Sequence, residues 1–128
     1  MVTVLDQNEN KINSLKLKLE KLEDNYHREN MEIEDKLYSL EDKKNELETY
    51  LQEVYEETSH FLRQNDSDGS TFMSLNRIIE SYQMELIDEY ENYKQTIIVQ
   101  EENSRTQFLK DRAKLENDIS SLEGRKYY

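Results

Sequence analysis

Eight apolar residues stand seven apart without a miss: Ile12, Leu19, Tyr26, Ile33, Leu40, Leu47, Val54 and Phe61. Leu5 extends the series one step toward the N-terminus. A repeat of seven marks one face of a long amphipathic helix. The 128-residue chain holds no proline, so nothing in the backbone forces that helix to break. Such a stripe stabilises a helix only when another apolar surface lies against it. The repeat therefore predicts helices packed on helices, within the chain and against another protein.

One segment interrupts the pattern, Gln64-Asn65-Asp66-Ser67-Asp68-Gly69-Ser70. It gathers turn-forming Asn, Asp and Ser around one of only two glycines, and either Asp68 or Ser70 is suited to cap a following helix. The expected fold is all-α: a single hairpin domain over residues 1–128, coiled-coil-like and antiparallel. Arm one covers about 8–63, the turn 64–70 and arm two about 71–123, with Gly124 as a helix stop. The first ten and last five residues are expected to fray. Arm two follows a different period, since Leu75, Leu86, Ile97, Phe108 and Ile119 stand eleven apart, joined by Tyr82, Tyr93 and Leu115. Eleven residues make three turns, against about 3.5 residues per turn for the heptads, which predicts a supercoil that is weak or changes sign along the rod.

Folding at 64–70 sets residues whose numbers sum to about 135 opposite each other. The polar stretch Gln100–Arg105 then faces His27–Met31. This level reads either as a loosened, solvated stretch or as a polar layer that fixes register.

Apolar residues make up 34% of the chain and charged residues 36%. That is too polar for a thick core but enough for helices that each bury one stripe. Marginal stability alone, with a gain on binding a partner, is the expectation. The net charge of −12 divides as −7 on residues 1–64 and −5 on residues 65–128. An acidic surface repels phosphate, which argues against nucleic acid and anionic membranes as partners. With no cysteine there is neither a disulfide framework nor thiolate chemistry. No stretch has the length and apolarity of a membrane span, and MVTVLDQNEN lacks the regions of a signal peptide, so a soluble chain without membrane insertion is expected.

Catalytic and metal chemistry find little support. His27 and His60 stand roughly 50 Å apart on a straight helix at about 1.5 Å per residue. Glu57-Thr58-Ser59-His60 has the Glu-x-x-His spacing of carboxylate-bridged metal sites, but the second motif such a site requires is missing. Asp66-Ser67-Asp68-Gly69 suggests a calcium loop, yet Gln64 and Leu75 occupy positions where it would need acids. No enzyme, cofactor or metal is therefore expected.

Aromatic and aliphatic residues are more informative. Between Phe72 and Val99, adjacent pairs Ile78/Ile79, Leu86/Ile87 and Ile97/Ile98 widen the apolar stripe beyond what one facing helix covers. The residues expected to contact a partner are Tyr82, Leu86, Tyr90, Tyr93, Ile97 and Ile98, while Leu40, Leu47, Val54, Phe61 and Leu75 form the internal seam. A homodimer burying the same surface, hence a self-associating coiled-coil scaffold or spacer, is the alternative.

The layout also resembles small helical accessory proteins of LXG-domain toxins in the Gram-positive type VII secretion system. Matching features are the Glu/Lys-rich first helix, the turn from Phe61-Leu62 through Gly69 to Phe72, and Ile79-Glu80-Ser81-Tyr82. The ending from Leu115-Glu116-Asn117-Asp118-Ile119 to Gly124-Arg125-Lys126 is similar too. The resemblance implies a targeting factor or chaperone that binds the toxin's helical N-terminal domain, alone or with a second small helical factor. It implies a cytoplasmic location, or secretion together with the partner. Two departures stand out. The Trp-x-Gly turn of small WXG-type secreted proteins is absent, and Tyr38-Ser39-Leu40-Glu41-Asp42 fits an export pattern but sits mid-helix.

Overall fold

The computed structural model describes residues 3–65 and 68–125, the side chain of Arg125 excepted. Two helices, α1 (Val4–Gln64) and α2 (Gly69–Arg125), pack against each other as an all-α hairpin, with no strand among the described residues.

Local side chains set where the helices start. The Asp6 N–H donates to Thr3 Oγ1 and the Thr3 N–H donates to Asp6 Oδ2, both at 3.2 Å. This reciprocal pair is a capping box with Asp in the place of Glu. It corrects the expected fraying for residues 4–10, which are helical. The same expectation for residues 1–2 and 126–128 falls outside the described residues. Asp68 caps α2: its Oδ1 accepts from Ser70 Oγ at 2.8 Å and from the Thr71 N–H and Oγ1 at 3.2 Å. At the end of α1, Asn65 donates to the Phe61 carbonyl through both its N–H (3.1 Å) and its Nδ2 (2.8 Å). Gly124 lies within the last turn of α2 rather than beyond it. Of the expected turn, Asp66 and Ser67 lie outside the described residues.

The chain divides into two compact units, a basal one of Met1–Glu34 with Val99–Tyr128 and a turn-proximal one of Asp35–Ile98. In the basal unit Ile12, Ile33 and Ile119 are buried, with Leu19, Leu22 and Leu115 half-buried among them. The Tyr26 and Phe108 rings stack 4.1 Å apart and 2° from parallel. The polar stretches of the two helices do meet, and Ser104 Oγ donates to Glu29 Oε2 at 2.6 Å. Asn30 and Glu101 are half-buried at that level. The numbers of these cross-helix pairs, Tyr26 with Phe108 and Glu29 with Ser104, match the expected register. Lys16 and Glu123 also pair across the helices at 3.6 Å, an exposed contact of small energetic weight.

In the turn-proximal unit Ile79 and Ser59 are buried, flanked by half-buried Leu51, Tyr55, Leu62, Leu75 and Leu86. Leu40, Val54 and Leu75 contribute to the seam as expected, but Leu47 is 49% and Phe61 61% exposed. Those two seam assignments are corrected. Seven residues fall about 20° short of two full turns, so a strict heptad series rotates off the seam toward its far end, which accounts for Phe61. Leu47 is exposed although Val54, one heptad further on, stays half-buried, and the drift does not account for it. The seam passes instead to Leu51, Tyr55, Ser59 and Leu62. The eleven-residue series drifts more slowly per residue, and Leu75, Leu86 and Ile97 all stay in contact with α1 as half-buried residues.

Candidate functional site

The residues displaced from the seam gather on one side of the turn-proximal unit. Adjacent helical residues point about 100° apart, so Ile79 (8% exposed) fills the seam while Ile78 (53% exposed) stands outside it. Leu47 and Tyr50 take the equivalent position on α1. Between the helices on this side lies an open groove of about 480 Å³. Leu47, Tyr50, Leu51 and Val54 line it from α1, and Leu75, Ile78, Ile79, Tyr82 and Leu86 from α2. Phe61 follows Tyr50 by eleven residues, and Tyr93 follows Tyr82 by eleven, so each lies on the same side of its helix as its counterpart. Beyond the groove Tyr93 and Ile97 meet Leu40, Lys36 and Lys43 around a second depression of about 340 Å³.

The six residues expected to contact a partner are thus divided. Tyr82 (54% exposed) and Tyr93 (62% exposed) stand on the groove side. Leu86 forms part of the groove wall and Ile97 part of the second depression, both half-buried. Tyr90 is half-buried within the unit, its ring 4.6 Å from Lys44 Nζ and 5.6 Å from Lys94 Nζ. Ile98 is half-buried and points about 100° from Ile97, away from the groove. The structure brings four of the six to one side and leaves Tyr90 and Ile98 apart from them. Tyr50 and Ile78 complete the groove and were absent from the expected set. The drift of the heptads was the sequence signal for Phe61 on that side, because the offset accumulates toward the end of the series.

The electrostatics of the groove are one-sided. Glu85 and Glu89 line its α2 edge. Outside Tyr50, the α1 edge carries Asp42, Glu46 and Glu53. No basic residue lines the groove. Of the unit's cations, Lys44 and Lys94 lie over Tyr90, and Lys44 also pairs with Glu48 at 3.8 Å. Residues 35–98 carry 15 acidic and 6 basic side chains, which places −9 of the −12 net charge in this unit.

Other candidate chemistry does not assemble. His27 and His60 are exposed. Within Glu57-Thr58-Ser59-His60, Ser59 faces the helix interface while Glu57 and His60 face solvent. Among the described residues no group of three His, Cys, Asp or Glu side chains is placed to hold a metal ion. Nor is any helix among them long and apolar enough to cross a membrane. The Asp68 carboxyl is held below the usual carboxylate range, first by the Ser70 hydroxyl and then by the Thr71 N–H and hydroxyl, which fits its role as a cap.

Fold and site together define an all-α hairpin with an open, acid-rimmed apolar groove in its turn-proximal unit. Comparison with protein-family models, curated proteins and solved structures yields no match to this chain.

Proposed function

We propose that the chain is a helical binding module that packs side by side with the helices of a partner protein. The resemblance noted above makes the helical N-terminal domain of a type VII-secreted LXG toxin the partner, with the chain acting as its targeting factor or chaperone. One observation carries the binding reading. The groove formed by Leu47, Tyr50, Ile78 and Tyr82 leaves large apolar side chains in water along both helices. Contiguous exposed apolar surface of this kind, bordered by charge, is the usual mark of a protein–protein contact. A third helix laid in the groove would bury it in the manner of helix-in-groove recognition.

The test is co-expression with the helical N-terminal domain of an LXG toxin from the same genome, with the affinity tag on the toxin. The chain should co-elute, and Ile78→Asp should abolish co-elution while its helical circular dichroism is unchanged. No complex with the unsubstituted chain, or a complex indifferent to Ile78→Asp, contradicts the proposal.

A further inference from the structure

We infer that the groove of the turn-proximal unit selects a partner helix whose apolar stripe is flanked on both sides by lysine and arginine. This rests on the binding-module reading and adds the chemistry of the occupant.

The groove floor is apolar, but both edges are anionic: Glu85 and Glu89 on α2, and Glu46 and Glu53 beside Tyr50 on α1. A helix lying between α1 and α2 presents its stripe to Leu47, Leu51, Ile79 and Leu86. Its two flanking rows, each one residue away from a stripe residue, then reach those carboxylates. The long side chains of lysine and arginine lay their methylenes over Tyr50 and Tyr82 and place their cations at the acids. Lys44 and Lys94 do not line the groove and are engaged at Tyr90. Lys36 and Lys43 stand at the second depression instead.

A second copy of the chain is a poor occupant by the same reasoning. It would bring a unit of net charge −9 against another of −9, with glutamate rows facing glutamate rows. Like charges in such proximity oppose association.

Three labelled synthetic helical peptides with one leucine/isoleucine stripe test the inference. They differ only in the flanking positions, which are lysine/arginine, glutamine or glutamate, and each is titrated into the full chain by fluorescence anisotropy. The basic-flanked peptide should bind about tenfold more tightly than the glutamine peptide at low salt, with the advantage shrinking as salt screens the exposed pairs. Glu85→Lys combined with Glu89→Lys should reverse the order in favour of the glutamate-flanked peptide. Tyr82→Ser should weaken all binding without changing helicity. Equal binding of the basic and glutamine peptides overturns the inference and leaves the binding-module reading standing. So does a preference that the double charge reversal does not alter. If no peptide binds, or Tyr82→Ser has no effect, both readings fall.

Discussion

At the scale of single residues, position relative to the seam decides what a side chain contributes. Ile33 and Ile79 are buried between the helices, whereas Phe61 belongs to the same heptad series as Ile33 yet stands in solvent. Truncating a buried isoleucine removes its transfer energy and leaves a cavity, so Ile33→Ala or Ile79→Ala should lower unfolding stability by about 2 kcal/mol or more. Phe61→Ser should change it by no more than about 0.5 kcal/mol. Urea denaturation followed by circular dichroism measures both. Should Phe61→Ser cost as much as Ile33→Ala, Phe61 returns to the seam and the account of heptad drift fails. The Tyr26–Phe108 stack and the Ser104–Glu29 hydrogen bond are other residue-scale contacts that the sequence foreshadowed only as a register. Which atoms would pair depends on rotamers, and periodicity carries no information about those.

Helices are set by their ends and by their periods. Asp68 fixes the start of α2 through three hydrogen bonds accepted at one carboxylate oxygen. Its carboxyl is more acidic in the folded chain than the ordinary value of 3.8. Its contribution is therefore fully present above that value and is lost as pH falls through the lower, folded pKa. Asp68→Ala should melt at a lower temperature than the unsubstituted chain at neutral pH, and the gap should close as pH drops below about 4. Thermal melts at a series of pH values check this, and a gap that persists in acid would contradict the capping role. The existence and type of both helices were legible from apolar spacing and the absence of proline. The α2 cap was legible too, as one of two candidates. The α1 start was not, because Thr3-x-x-Asp6 uses Asp where the familiar box has Glu. Phe61 was misplaced for a different reason: a sequence repeat states a period, and only the helix geometry decides whether the partner helix follows it.

For the whole molecule, the hairpin changes the meaning of charge. Read along the chain, the two halves look alike at −7 and −5. Folding joins the middle of the chain to itself, and the turn-proximal unit then holds −9 while the basal unit holds −3. The acidic excess and the open groove thereby fall in the same unit, and the proposed basic-flanked partner rests on that coincidence. Of the six residues assigned to partner contact, Tyr82, Leu86, Tyr93 and Ile97 lie on the side of the groove, in the stretch of α2 where the stripe widens. That widening could not reveal the contribution of α1, since Tyr50 enters the groove only by its placement opposite Tyr82 and Ile78. The most direct measurement is the mass of the full chain by light scattering over a wide concentration range, beside Tyr82→Asp. The account predicts the mass of one chain for both proteins, because the groove stays open until a partner helix covers it. A dimer that Tyr82→Asp dissolves would contradict it, since the groove would then already be filled by a second copy.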